Sequence, residues 1–176
     1  MSSYPVLLAS YFEMYMKTQL EEKGKKTNEQ LKEKESLIIQ KLDTFMKNWQ
    51  KDDDFFGTVG YVVKIDYTEA IGYRFRLILL SSNLNKKNQM QVNAKLKTRW
   101  GKITNNEGAL INYDGFSIDD RSVGSGIVKK EAPETVFKLK QGVSYLVKFD
   151  YFVSHKLFNN GRSLRKGFKK IKFVQT

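Results

Sequence analysis

The residues best suited to chemistry in this 176-residue chain are cations arranged in rows. Two segments carry Lys or Arg without any acid: 70–106 has eight such cations and 151–176 has seven. The formal net charge is +12, although residues 1–54 hold nine Lys against ten acids. Since phosphates spaced along a flexible strand favour a row of cations through counterion release, these segments indicate a surface that binds polyanions. An ordinary solvated basic face is the alternative.

Other kinds of reactive site find little support. The chain has no Cys and one His, which excludes a disulfide framework, cysteine-ligated zinc and a histidine-rich metal site. His155 has no serine motif to serve, and the neighbouring Lys156 disfavours its protonation. Asp114, Asp119 and Asp120 would suit Mg²⁺ in a nuclease, but loops rich in Asn, Asp and Gly are more often turns. We therefore expect no enzyme activity, no catalytic residues, no metal and no cofactor.

The densest cationic pattern lies in the stretch 73–102. Two parts of it alternate strictly between apolar and polar residues, a pattern typical of half-buried strands. The segment between them is turn-like and basic, which favours antiparallel pairing of the two strands. Such pairing would align one set of cations on a single wet sheet face: Arg74, Arg76, Lys95, Lys97 and Arg99.

Two helices are predicted before this stretch. The first covers 4–23, where apolar residues recur at helical spacing, and ends at the Gly-Lys-Lys of 24–26. The second begins at Thr27, with Gln30 placed as in a capping box, and carries an apolar stripe to about Gln50. We expect a helical hairpin or extension over 1–54 that packs on the following domain or on a second copy of the chain.

Membrane association is not expected from these helices. The apolar run 6–16 is too short to span a bilayer and has no basic segment before it. The polar face of the second helix mixes Glu with Lys, whereas helices that lie on membranes are usually rich in basic residues.

The chain after residue 54 is predicted to be β structure. A glycine-bent strand covers Phe55 to Asp66, and the two alternating strands follow it. We interpret 101–135 as a long loop with a hairpin near 109–116. A long strand then starts at Gly142, and the last strand runs from Phe168 to Val174.

This order of strands resembles an OB-fold. The resemblance depends on the glycine-punctuated first strand, 55–66, and on the sequence LKQGVSYLVKF at 139–149, where a glycine turn leads into the fourth strand. It implies an α+β protein in which 55–176 form a five-stranded OB-like antiparallel β-barrel after the helical extension. A small curved barrel of the SH3 type is the alternative.

The resemblance also implies a function, because OB-folds bind single strands through a cationic groove with stacking aromatic residues. It predicts single-stranded DNA as the partner, with low sequence specificity and with RNA left open, in replication, recombination, DNA transfer or end protection inside the cell. The rival is a protein-interaction module or inhibitor whose basic face docks an acidic partner or nucleoprotein. The predicted nucleic-acid-binding residues are Arg74, Arg76, Lys86, Lys87, Lys95, Lys97, Arg99, Trp100, Phe152, Lys169, Lys170 and Lys172.

Overall fold

One antiparallel sheet with helices on both faces forms the described part of the protein. The computed structural model describes residues 4–16, 27–68, 72–82, 86–113, 125–148 and 164–169. The strands are β1 (Val6–Met16), β2 (Thr58–Thr68), β3 (Gly72–Ser81), β4 (Gly108–Asn112), β5 (Gly126–Lys129) and β6 (Leu164–Phe168). The helices are α1 (Asn28–Met46), α2 (Lys86–Ile103) and α3 (Pro133–Lys148), and a 3-10 turn covers Asp53–Phe55.

The sheet is open, with strand order β4-β1-β3-β2-β6. β5 pairs with the first half of β1, at Val6 to Ala9, and β4 pairs with its second half, at Phe12 to Met16. Every pairing is antiparallel. Because β4 and β6 lie at opposite ends of this order, the described strands do not close into the predicted OB-like barrel, and that prediction is wrong.

The two faces of the sheet have separate cores. The helix-pair face is covered by α1 and α2, whose buried side chains pack on the odd-numbered residues of β3: Tyr73, Phe75, Leu77 and Leu79. The α3 face carries the alternate residues of the same strand, and Ile78 and Leu80 there pack in one cluster with Leu146 of α3. This alternation fixes which cations can lie together.

Helix α1 confirms the prediction made from its capping residues. The Thr27 hydroxyl accepts a hydrogen bond from the Gln30 N–H at 3.3 Å, and the Gln30 side chain accepts one from the Thr27 N–H at 3.0 Å. The apolar stripe is buried on the helix-pair face rather than held for a second copy. On the same face the Tyr73 hydroxyl donates to the Glu35 carboxylate at 3.1 Å.

The predicted N-terminal helical hairpin is wrong, because its first member is strand β1. Phe12 and Met14 of β1 point to the helix-pair face, and Ala9 and Tyr11 point to the α3 face. All four are buried. With both faces covered, the strand lacks the polar alternation that identifies a half-exposed strand.

Two predicted strands are helices. The segment 90–99 belongs to α2, whose buried residues Val92, Leu96 and Trp100 follow a spacing of four. The described part of the strand predicted from Gly142 belongs to α3, which continues through that glycine to Lys148. The part of 101–135 predicted as loop includes β4 and β5, each of which pairs with β1 instead of forming a local hairpin.

Candidate nucleic-acid interface

The predicted cations Arg74 and Arg76 lie in the middle of the α3 face, where they are bound to carboxylates. Arg74 contacts the Glu13 carboxylate at 3.3 Å and lies 3.7 Å from that of Asp66. The Arg76 guanidinium donates to Asp66 and, at 3.4 Å, to the carbonyl oxygen of Leu146 in α3. These two arginines therefore connect three strands and a helix inside the protein.

Pairing with Asp66 favours the charged form of Arg76 despite its burial. Arg76 is 2% exposed and Lys64, its cross-strand neighbour on β2, is 1% exposed. Burial acts to lower the pKa of Arg76, but the hydrogen bond and charge of Asp66 outweigh it, and the pKa is raised. Burial also raises the pKa of the nearby Tyr11 phenol. A paired, buried guanidinium has no free surface to offer a phosphate.

The predicted cations 95, 97 and 99 lie on helix α2 and not on a strand. Lys95 and Lys97 are exposed, and the Lys95 ammonium contacts the Asp53 carbonyl at 3.4 Å. Lys95 and Lys97 therefore lie on a helix that covers the sheet, whereas Arg74 and Arg76 belong to strand β3 of the sheet itself. The continuous cationic row expected on one sheet face does not exist.

Arg99 binds the C-terminal end of α1. Its guanidinium donates to the carbonyl oxygens of Phe45 at 2.9 Å and Lys47 at 3.2 Å. It also contacts the carboxylates of Asp52 at 2.6 Å and Asp54 at 3.3 Å. Since the last carbonyls of a helix lack intrahelical partners, this arginine satisfies groups that the fold leaves open.

The same contacts change the pKa of the Asp52 carboxylate. Burial acts to raise its pKa, but hydrogen bonds from the Asp54 N–H and the Arg99 guanidinium outweigh it. The pKa of Asp52 therefore lies below its ordinary value of 3.8.

Trp100 belongs to the core. Its side chain is 0% exposed, and its ring meets Phe45 and Phe75 edge-on at centroid distances of 5.7 and 5.9 Å. A ring without exposed area presents no surface on which a base could stack.

The remaining predicted site residues fall at the borders of the described chain. The backbone of Lys86 and Lys87 begins α2. The Lys169 N–H donates to the Val59 carbonyl at 2.9 Å, which fixes this lysine directly after β6. Phe152, Lys170 and Lys172 lie outside the described residues.

Strand β6 carries the surface that sequence reasoning missed. Its side chains alternate between faces, so that Leu164, Lys166 and Phe168 lie on the α3 face, opposite Lys64, Val62 and Gly60 of β2. Leu164 is 37% exposed, Phe168 is 55% exposed, and Lys166 is exposed. We call Leu164, Lys166 and Phe168 the β6 strip.

Two glycines allow aromatic rings to lie flat on this end of the sheet. A β-carbon on Gly60 would be 2.5 Å from the Phe168 ring, and one on Gly167 would be 2.4 Å from the Tyr61 ring. Gly60 pairs with Phe168 and Gly167 with Tyr61 in the β2–β6 register. The two rings cover opposite faces of the same strand pair, and the Phe168 ring keeps its outer side exposed.

A sequence signal for this strip existed. Leu164, Lys166 and Phe168 alternate with Arg165 and Gly167 at the period of a strand. The prediction began the last strand at Phe168, where the described strand ends. The exposure of the ring depends on the glycine opposite it, which the sequence does not reveal.

Comparisons and metal geometry give no further assignment. The chain matches no protein-family model, and no curated protein is significantly similar to it. Across the described ranges, no three His, Cys, Asp or Glu side chains are grouped so as to hold a metal ion. No helix in those ranges has the length and hydropathy needed to cross a membrane.

Proposed function

We propose that this protein binds single-stranded nucleic acid through the β6 strip, with DNA as the ligand to test first. The observation that carries this proposal is the exposed Phe168 ring, which rests on Gly60 and has the exposed Lys166 on the same face of the strand. Unstacked bases bind to aromatic rings, and cations next to those rings bind the phosphates.

The charge of the chain supports the same proposal. The formal net charge is +12, and a strongly basic surface attracts a polyanion and releases its counterions. The β6 strip contains one lysine and no acid. Stacking on a phenyl ring does not distinguish bases strongly, so we propose low sequence specificity. We also propose an intracellular location, because the chain has no cysteine that could form a disulfide.

The experiment is a fluorescence anisotropy titration of a labelled single strand of about 20 nucleotides, at two salt concentrations. Phe168→Ala should weaken binding by about 5- to 150-fold, because stacking on one ring contributes about 1–3 kcal/mol per base. Phe168→Trp should retain it. Phe137→Ala is the matched control, since Phe137 is similarly exposed, at 60%, and belongs to α3 rather than to β6.

The salt dependence of the affinity tests the contribution of Lys166. Lys166→Ala should reduce the slope of log affinity on log salt by about 0.7 if this lysine contacts one phosphate of a single strand. If the oligonucleotide shows no saturable binding, or if Phe168→Ala and Phe137→Ala behave alike, the proposal is refuted.

One observation favours a second candidate, a module that adds an acidic partner peptide as a strand. β6 lies at one end of the described sheet order, and sheet edges can pair with extended peptides. In that case an acidic peptide would bind while the oligonucleotide would not.

A further inference from the structure

A concave surface lies between α1 and α2, on the side of the protein opposite the α3 face. Its volume is about 640 Å³, within the range of small-molecule sites. Its lining includes Thr44 of α1, Asp54 of the 3-10 turn, and Ala94, Lys95, Thr98 and Lys102 of α2. We call it the α1–α2 groove.

Two exposed lysines border the groove on one helix. Lys95 and Lys102 are seven positions apart, which places them on the same side of α2 and about 10 Å apart along its axis. On that side Thr98 and Arg99 lie between the two lysines, and the Arg99 guanidinium is bound to the end of α1. The short Thr98 and the preceding Ala94 therefore leave the floor of the groove accessible. This arrangement holds two positive charges apart with room for a ligand between them.

The acidic residues near the groove offset only part of this charge: Lys95 helps to lower the pKa of the Asp52 carboxylate, but Asp52 and Asp54 are both held by Arg99. Asp54 and Asp52 both contact the Arg99 guanidinium, at 3.3 and 2.6 Å. Arg99 in turn donates to the carbonyl oxygens that end α1. Arg99 and the two carboxylates thus form a structural unit with a net charge of −1, and Lys95 and Lys102 add two positive charges at the rim.

One of the two hydroxyl groups at the groove also suits an anion. The Thr44 hydroxyl donates to the Gln40 carbonyl at 2.8 Å, so its proton is committed within α1. Thr98 is exposed on the floor between the two lysines. A phosphate placed between Lys95 and Lys102 would therefore meet two ammonium groups and a hydroxyl, all of which can donate hydrogen bonds to its oxygens.

We infer that the α1–α2 groove is a second binding site, for phosphate groups. The phosphate can belong to a free nucleotide or to the backbone of a nucleic acid, and the chemistry of the site is the same for both. This inference does not depend on Phe168 or on the β6 strip, which lies on the other face of the sheet.

The test uses two double variants of the full chain with equal changes of charge. K95E/K102E alters the groove, and K138E/K140E alters two exposed lysines of α3 on the opposite face. Both are titrated calorimetrically with adenosine monophosphate, with inorganic phosphate and with the 20-nucleotide strand. Thermal melts establish that both are folded.

Either of two results supports the site. Binding of adenosine monophosphate that is lost in K95E/K102E and kept in K138E/K140E identifies a free nucleotide as the source of the phosphate. If adenosine monophosphate does not bind, the oligonucleotide decides. A loss of its affinity that is at least about tenfold larger in K95E/K102E than in K138E/K140E identifies the nucleic-acid backbone as the source of the phosphate.

Equal effects of the two variants on every ligand, or no binding of any of them, would overturn the inference. The variant Phe168→Ala distinguishes a refutation of the groove site from a refutation of the proposed function. If Phe168→Ala weakens oligonucleotide binding while K95E/K102E matches its control, binding through the β6 strip is supported and the groove site is refuted.

Discussion

The ring of Phe168 occupies the space that a β-carbon on Gly60 would take, since the ring atom Cδ1 would lie 2.5 Å from it. Gly60→Ala should therefore push the ring off the sheet and weaken single-strand binding by about fivefold or more, the lower limit for losing one stacking contact. Anisotropy measures the affinity. Gly167→Ala is the comparison, because its β-carbon would meet Tyr61 on the helix-pair face and should lower stability without that loss of affinity.

Arg99 should matter for stability more than for binding. Arg99→Met removes the guanidinium from the end of α1 and leaves Asp52 without its closest charged partner. We expect the free energy of unfolding to fall by about 2–3 kcal/mol, as for hydrogen bonds that involve charged groups. Urea denaturation measures it. Lys97→Met, an exposed position of the same helix, should change it by less than about 0.5 kcal/mol, and equal midpoints for the two variants would contradict this role.

Asp52 should make stability depend on pH in the acid range. Its pKa is lower in the folded chain than the ordinary value of 3.8, so the unfolded chain binds more protons there. This contribution to stability is present above that value and is lost as the pH falls through the folded pKa. Asp52→Asn should flatten the decline between about pH 5 and about pH 2, as measured by urea denaturation. Parallel curves for wild type and variant would show that Asp52 is not responsible.

The Arg76–Asp66 pair should be strongly coupled. Arg76 is 2% exposed, and Asp66 receives a hydrogen bond from its guanidinium. Arg76→Met should cost about 3–5 kcal/mol, because it leaves a largely buried carboxylate without this partner. The double variant R76M/D66L should be less destabilised than the sum of the single variants, by about 0.5–3 kcal/mol. Additive losses in a double-mutant cycle would mean that the two side chains act independently.

Local signals in the sequence were sufficient for some elements. Helix α1 has its own capping box, and β3 shows its alternation in consecutive residues. The glycine-bent strand predicted from Phe55 corresponds to β2, whose register shifts between Thr58 and Gly60. These features depend on neighbours in the chain, so a sequence pattern can report them.

Tertiary packing decided the elements that were predicted wrongly. Residues 90–96 alternate like a strand, yet Val92, Leu96 and Trp100 also follow a helical spacing, and burial against Phe45 and Phe75 selects the helix. Strand β1 is covered on both faces, so neither its period nor its polarity distinguishes it from a buried helix.

The candidate site shows the same division. The basic character of the end of the chain was evident from its composition, whereas the exposure of Phe168 follows from a glycine about a hundred residues earlier in the chain. The prediction that the arginines of β3 lie on a sheet face was correct, but α3 and two carboxylates on neighbouring strands cover them. A pattern along one strand does not record what packs on it.

The position of β1 has a consequence for the way the chain acquires its structure during synthesis. β1 is translated before the strands that pair with it, since Val6 pairs with Lys129 and Tyr15 with Arg74. A nascent chain emerging from the ribosome therefore exposes an apolar strand with two open edges until the sequences that cover them have been translated. Such delayed long-range pairing is associated with slow folding and with aggregation, so β1 is the segment that chaperones are expected to protect.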